Sequence, residues 1–131
     1  MPIPMNSFTI TSTVKNYPKS NPYAEMKNKI LGLKYELSLV FVGKVRAASL
    51  NKTYRNKTYS PNVLSFPLTQ STGEIVICPQ VAKKEAEKFN LSANGYIAYL
   101  FIHGLLHLKG YDHSDTMEKL EHKYLKTFNI S

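Results

Sequence analysis

At residues 96–113 the chain reads YIAYLFIHGLLHLKGYDH, and this stretch decides both the fold and the chemistry. Residues 96–102, together with the leucines that follow, form a helical pattern that is apolar almost all round, which is typical of a buried helix. The stretch also contains three of the chain's four histidines, spaced HxxxHxxGxxH. The sequence therefore predicts a buried central helix with imidazoles gathered at its C-terminal end.

The spacing of these histidines suits one metal ion. His103 and His107 are one helical turn apart, so both side chains leave the same face. Gly110 can take the left-handed conformation that ends a helix, after which the chain can fold back to bring His113 to the other two. Three neutral imidazoles leave the fourth position of a tetrahedral Zn²⁺ open, as in catalytic zinc sites.

The alternative is that the histidines cluster without a metal. Imidazoles on a buried helix need partners for their ring nitrogens, and a metal ion would supply one partner for both His103 and His107. We therefore expect one Zn²⁺ per chain, bound by His103, His107 and His113. Zinc is preferred to nickel or cobalt on ligand type alone.

Length and composition fit one soluble domain. The chain has 131 residues, 43% hydrophobic and 20% charged, and no run of 18 apolar residues that could span a membrane. The N-terminal residues lack a basic start followed by an apolar run, so we expect no secretory signal and a cytoplasmic protein. The one cysteine, Cys78, ends an apolar run and is expected to be a buried, inert thiol.

The net charge of +8 is unevenly distributed. Residues 1–60 have ten Lys or Arg against two acidic residues, whereas residues 61–131 have seven of each. Such asymmetry is expected where an anionic polymer is drawn across a neutral pocket, although a solvated lysine-rich face would give the same count. Five tyrosines of the basic half either stack on bases or pack in the core: Tyr17, Tyr23, Tyr35, Tyr54 and Tyr59.

The order of predicted elements indicates an α+β domain with about four strands in a mixed sheet and about five helices around the buried one. Strands are predicted over residues 7–14, 35–42, 63–68 and 74–78, the last two joined by a turn containing Gly73. Helices are predicted from an Asn21 N-cap to about Leu33, from 44 to about 54, from Pro79 through Lys88, after a Ser92 cap, and from a capping box at Asp115–Glu118. The residues predicted to face inward on the first and last helices are Met26, Ile30, Leu33, Leu120, Tyr124, Leu125 and Phe128.

The same histidine spacing occurs in the metzincin proteases, but one position argues against a peptidase. In those enzymes the residue after the first histidine is a glutamate that acts as general base. Here that residue is Gly104, which has no side chain. A methionine turn is not evident either, because Met117 follows only four residues after His113.

Several blocks of the chain together resemble the YbeY family of bacterial ribosomal-RNA maturation factors. The histidine motif matches the signature of that family, and four further blocks follow in the same order. These blocks are NKTYR at 51–55, NVLSFP at 62–67, GEIVIC at 73–78 and MEKLE at 117–121. The family usually has Thr where this chain has Pro61, and often has Asp where this chain has Thr58.

The resemblance implies a single metal-dependent hydrolase domain over residues 1–131. It implies a zinc-dependent, single-strand-specific endoribonuclease that matures the 3′ end of ribosomal RNA and takes part in ribosome biogenesis and quality control. The implied partners are the 16S rRNA precursor and the 30S subunit, with no membrane or DNA partner. The implied catalytic residues are Arg55 in the cleft and the zinc ligands His103, His107 and His113.

The chemistry of these residues agrees with that implication but leaves alternatives open. An arginine can hold two non-bridging phosphate oxygens, so Arg55 suits a phosphodiester substrate, although a surface salt bridge is the alternative role. Asp112 can either orient a zinc ligand or cap the following helix. Either water activated by zinc or the 2′-OH of the RNA attacks phosphorus. A ribosome-assembly factor with a mainly structural zinc, or a zinc peptidase, are the alternative functions.

Overall fold

The computed structural model of the protein describes residues 7–131, which form four strands and five α-helices. The strands are β1 (Phe8–Ser12), β2 (Glu36–Phe41), β3 (Val63–Pro67) and β4 (Thr72–Ile77). The helices are α1 (Tyr23–Ile30), α2 (Lys44–Arg55), α3 (Pro79–Glu85), α4 (Ala93–Lys109) and α5 (Asp115–Thr127). A 3-10 turn, Ala86–Phe89, continues α3.

The strands form one mixed sheet in the order β1-β2-β4-β3. β1 and β4 both pair with β2 in parallel, and β3 pairs with β4 in antiparallel orientation. Among residues 7–131, β1 and β3 are therefore edge strands. The expected α+β fold, with a four-stranded mixed sheet and five helices, is confirmed.

Helix α4 is the centre of the fold, as its composition predicts. Ser92 caps it by accepting a hydrogen bond of 2.9 Å from the Gly95 N–H. Ile97, Phe101 and Leu105 are fully buried, and α4 packs against α1, α3, α5 and the β3–β4 side of the sheet. Burying each such side chain contributes about 1.5–3 kcal/mol to stability. The helix that carries the histidines is thus held by three helices and the sheet, and its face with Tyr99, His103 and His107 is only partly buried.

Alternation along the strands places two apolar layers on opposite faces of the sheet. The layer under α4 contains Leu37, Leu39, Phe41, Ile75 and Ile77. The layer under α2 contains Ala47 of that helix together with Val42, Leu64, Val76 and Cys78. Cys78 is buried, as expected.

No helix among residues 7–131 combines the length and the apolar character needed to cross a bilayer.

Two predictions at the first helix are wrong. Helix α1 ends at Ile30, because Gly32 adopts a positive φ of 95° that breaks the helix, and Leu33 is 53% exposed rather than inward. Asn21 does not cap α1; its side-chain amide instead donates to the Asn94 carbonyl, 3.0 Å away at the start of α4. The inward positions of Met26 and Ile30 are confirmed.

Three further boundaries differ from the prediction. Gly73 lies inside β4 opposite Leu37, and the hairpin turn is formed by residues 68–71. The helix from Pro79 tightens into the 3-10 turn before Lys88. The N-cap of α5 is Ser114, whose hydroxyl accepts from the Met117 N–H, so Asp115 is already helical and the capping box is absent. The inward face of α5 is confirmed, because Leu120, Tyr124, Leu125 and Phe128 pack on the core.

Helix α4 comes closest to the sheet at Gly104. A Cβ at this position would lie 3.0 Å from both Ile75 Cδ1 and Ser65 Oγ, closer than van der Waals contact allows. The Ser65 hydroxyl donates to the Gly104 carbonyl at 3.4 Å, which ties the helix to β3. The glycine thus lets the histidine-bearing end of α4 lie against the edge strand.

We expect Gly104→Ala to reduce the free energy of unfolding by up to about 2 kcal/mol, because overpacking costs about 1–3 kcal/mol and the higher helix propensity of alanine offsets about 1 kcal/mol of it. Ile75→Val removes the Cδ1 atom that the new methyl group would meet. In the Gly104→Ala background this second substitution should therefore cost less than it does alone, where it costs about 0.5–1.5 kcal/mol. Urea unfolding of both single variants and the double variant measures the coupling. Purely additive effects would contradict the close approach.

Candidate metal centre

Helix α4 ends at Lys109, and Gly110 takes the left-handed conformation that the histidine motif predicts. Gly110 has a φ of 113°, its N–H donates to the His107 carbonyl, and the Tyr111 N–H donates to the Leu106 carbonyl. This pair of bonds is a Schellman motif, which ends the helix and reverses the chain. The reversal brings His113 back beside His103 and His107.

The three imidazoles share one small space. One nitrogen from each of His103, His107 and His113 lies within 4.8 Å of the other two. The ring centroids are 4.5 Å apart for His103 and His107, 5.0 Å for His103 and His113, and 4.8 Å for His107 and His113. The structure therefore brings together the three predicted ligands.

In His103 and His107, the two histidines on α4, the Nδ1 atom lies beside a hydrogen-bond acceptor. His103 Nδ1 lies 2.5 Å from the Glu121 carboxylate, and His107 Nδ1 lies 2.9 Å from the Tyr111 carbonyl oxygen. A carboxylate and a carbonyl can only accept, so each Nδ1 carries a proton and donates it. The partners thereby select the tautomer in which each Nε2 has a free lone pair.

These two lone pairs provide a test of whether a metal fits the site. The Nε2 atoms of His103 and His107 lie 3.0 Å apart, and two unprotonated nitrogens cannot hydrogen-bond to each other. Burial, followed by the neighbouring His103, lowers the pKa of His107, which favours the neutral form. A cation between the nitrogens satisfies both. The donor set of three imidazoles fits Zn²⁺.

Glu121 is a functional residue that the sequence reasoning missed. Its side chain is only 6% exposed, and its second oxygen lies 3.4 Å from the Tyr99 hydroxyl. Burial, and then the charge of Glu121, raise the pKa of Tyr99 to about 12, so the phenol stays protonated and donates. A signal was present, because Glu121 interrupts the apolar face of α5 between Met117 and Leu125, where a carboxylate needs a buried partner.

Asp112 performs neither of the two roles considered for it. Ser114 caps α5, and the described hydrogen bonds to the ligand imidazoles come from Glu121 and Tyr111. The Asp112 side chain is exposed. His122 is also on the surface, 3.9 Å from Glu118.

The histidines open into a cleft of about 780 Å³ beside the edge strand β3. Arg55, the last residue of α2, lines the same cleft, and it forms no ion pair with any residue of the described chain. The salt-bridge alternative for Arg55 is therefore not supported. Its guanidinium is exposed and available to a ligand.

The tyrosines of the basic half have different positions. Tyr23 and Tyr35 are buried in the core, and Tyr17 packs edge-on against Phe41. Tyr54 is 66% exposed and lines the cleft, whereas Tyr59 is exposed outside it.

The chain departs from the family pattern at two loop residues, Thr58 and Pro61. Pro61 is buried and Thr58 is exposed, and neither lines the cleft.

Replacement of Glu121 should weaken metal binding without removing a ligand. We expect Glu121→Gln, and more strongly Glu121→Ala, to lower zinc affinity about 10- to 100-fold, because His103 loses the acceptor that holds its tautomer and ring orientation. Glu118→Gln, an exposed change one turn earlier on α5, is the matched control. Titration of metal-free protein against a competing chelator measures the affinity. Equal affinity in wild type and Glu121→Ala would contradict the assigned role.

Comparison with known proteins identifies the family. A family model described as Endoribonuclease YbeY matches residues 5–129. A Ruthia magnifica protein of that name is 36% identical over 132 residues, covering 92% of this chain and 91% of the relative. A Buchnera aphidicola protein of the same name is 35% identical over 130 residues, covering 88% and 84%. A solution structure from Thermotoga maritima has a TM-score of 0.64 at 27% identity, covering 91% of this chain and 87% of the other. The chain belongs to the YbeY family.

Proposed function

We propose that residues 1–131 form one metal-dependent hydrolase domain that acts as a zinc-dependent endoribonuclease on single-stranded segments of ribosomal RNA. One Zn²⁺ per chain would be held by His103, His107 and His113, and Arg55 would bind the phosphate that is cleaved. The name of the matched family and of its relatives, Endoribonuclease YbeY, supports the reaction class.

The observation that carries this proposal is the convergence of three imidazole nitrogens at the floor of an open cleft. A structural zinc site is closed by four protein ligands, whereas a catalytic one keeps a position for substrate or water. Among residues 7–131, the cluster contains three histidines and no fourth His, Cys, Asp or Glu. His113 is exposed, so the site faces the cleft rather than the core.

The charges lining the cleft favour an anionic substrate. Among the described residues that line it, Arg55 is a cation and no aspartate or glutamate is present. The guanidinium can form two parallel hydrogen bonds to the non-bridging oxygens of a phosphodiester and so stabilise the negative charge that grows as phosphorus is attacked. Zinc, when bound, supplies Lewis acidity toward a phosphoryl oxygen or a water molecule.

The chain's other residues at the centre hold the ligands in place. Glu121 and the Tyr111 carbonyl retain the Nδ1 protons of His103 and His107, so that both Nε2 atoms stay available to the metal. Tyr99 donates to Glu121 and fixes that carboxylate in turn.

The observations do not favour a peptidase. The general base of such an enzyme must reach the substrate, but the buried Glu121 is bound behind His103 and Gly104 has no side chain. For a ribosome-assembly factor with a mainly structural zinc, a closed four-ligand site would be expected. The proposed setting for the nuclease is the cytoplasm, with the 16S rRNA precursor and the 30S subunit as partners and no DNA or membrane partner.

The proposed reaction is tested with zinc-loaded protein and an end-labelled oligoribonucleotide, either single-stranded or annealed to its complement. We expect the single strand to be cleaved, cleavage to stop when a chelator removes the metal, and activity to return when zinc is added. His107→Ala should abolish both stoichiometric metal content and cleavage. If wild type and His107→Ala give equal background cleavage, the protein is not the nuclease proposed.

Arg55 should contribute to catalysis without affecting the metal. We expect Arg55→Ala to lower kcat/KM by about 10²–10³, the usual effect of removing one donor that stabilises transition-state charge. Arg55→Lys should recover part of the loss, because an ammonium keeps the charge but not the bidentate geometry. Arg46→Ala, an exposed change on the same helix outside the cleft, is the control. Full activity in Arg55→Ala at unchanged zinc content would contradict the assignment.

A further inference from the structure

A row of stacked aromatic rings leads along the cleft to the histidines. Phe89 packs on Tyr96 with 4.9 Å between ring centroids and 21° between ring planes, and it lies 6.1 Å from Tyr99 at 28°. The Tyr99 ring is 6.4 Å from that of His103. All three aromatic residues line the cleft. The wall beside the metal centre is therefore aromatic from its outer end to the first ligand.

Phe89 is the exposed end of this row. It is 50% exposed, whereas Tyr96 behind it is 2% exposed. Its backbone is fixed because Phe89 ends the 3-10 turn, Asn90 follows with a positive φ of 55°, and the Leu91 N–H donates to the Ala86 carbonyl. A phenyl ring has no polar atom that benefits from water, so leaving it half exposed costs free energy relative to burial. A ligand that covers it would recover that cost.

The surroundings of Phe89 indicate the chemistry of such a ligand. The cleft in which it lies contains Arg55 and the exposed ring of Tyr54, which packs on Phe66 with 5.2 Å between centroids. An adjoining cavity, also lined by Phe89, contains Asp115 and Glu118 instead. A phosphate would therefore lie on the Arg55 side, in the cleft that Phe89 also lines. Binding sites for single-stranded nucleic acid typically combine cationic side chains with aromatic rings on which bases stack.

We propose that Phe89 is a base-stacking residue, on which an unpaired nucleobase next to the cleaved phosphate stacks. This inference rests on the proposed nuclease function for the identity of the substrate. In a duplex both faces of a base are covered by its neighbours, so the phenyl ring gains a partner only from an unstacked, single-stranded base. Stacking would hold the strand in register and present one particular phosphate to the histidines and Arg55.

The chain has no tryptophan, and this offers a direct reporter of stacking. We expect Phe89→Trp to keep the platform and to provide the chain's only tryptophan. Its selectively excited emission should fall when a single-stranded oligoribonucleotide binds and be unchanged by the annealed duplex. Tyr59→Trp, an exposed aromatic position outside the cleft, is the matched control and should not respond. Unchanged emission from Trp at position 89 at RNA concentrations that saturate binding by anisotropy would overturn the proposal.

A second experiment locates the stacked base. Affinities are measured for a series of oligoribonucleotides, each with one abasic nucleotide. In wild type, one abasic position should weaken binding about 5- to 150-fold, the range found for loss of one base–aromatic stack. Phe89→Leu keeps an apolar cover on Tyr96 but removes the ring. This variant should bind the intact strand as weakly as wild type binds the strand with that abasic nucleotide. The abasic nucleotide should not weaken its binding further. Independent, additive effects of the two changes would overturn the inference.

The two proposals fail in different ways. If wild type cleaves RNA but Phe89→Leu binds and cleaves like wild type, the stacking role is wrong and the nuclease function stands. If the abasic effect depends on Phe89 but no cleavage occurs with zinc present, the stacking site is real and the nuclease function is wrong. Thermal unfolding of each variant, with Tyr59→Leu for comparison, separates a loss of the ring from a loss of the fold.

Discussion

Two imidazole nitrogens face each other 3.0 Å apart at the end of a buried helix, and both have free lone pairs. Their far nitrogens donate to Glu121 and to the Tyr111 carbonyl, so neither ring can turn over without leaving a buried acceptor unpaired. A metal ion bound between these lone pairs would relieve their repulsion and pair both of them. The proposed function depends on this arrangement.

The fold produces the constraint by fixing three separate elements against one another. Helix α4 is held by the buried side chains that it packs against α1, α3, α5 and the sheet, and Gly104 lets its C-terminal half approach β3 and β4. The Schellman turn at Gly110 serves two purposes, because it returns His113 to the site and directs the Tyr111 carbonyl at His107. Helix α5 then supplies Glu121. Since β3 is an edge strand, the finished site opens to a cleft that Arg55 reaches from α2.

Much of this arrangement could be predicted from the sequence, because it depends on local patterns. The apolar run of α4, the i, i+4 pair of histidines and the glycine that ends the helix are neighbours in the chain, and propensity and spacing decide them. The family resemblance placed Arg55 near the histidines, which spacing alone could not do.

The features that were missed depend on contacts between residues distant in sequence, on competition between neighbouring hydrogen-bond acceptors, or on the backbone conformation of a glycine. Glu121 is 18 positions from His103, and only the packing of α5 on α4 brings them together. Asp112 and Asp115 were the predicted candidates for the cap of α5, but the Met117 N–H donates to the Ser114 hydroxyl instead. Leu33 fitted the helical period, but the positive φ of Gly32 ended α1 before it. The row from Phe89 to Tyr99 joins two elements, so no single pattern predicted it.

X-ray absorption at the zinc edge, on protein purified without added chelator, tests the central claim most directly. The account predicts about one zinc per chain with three imidazole nitrogens at about 2.0–2.1 Å and a further light-atom ligand from solvent. A spectrum with sulfur ligands, with fewer than three imidazoles, or with the same ligand set after His107→Ala would contradict it.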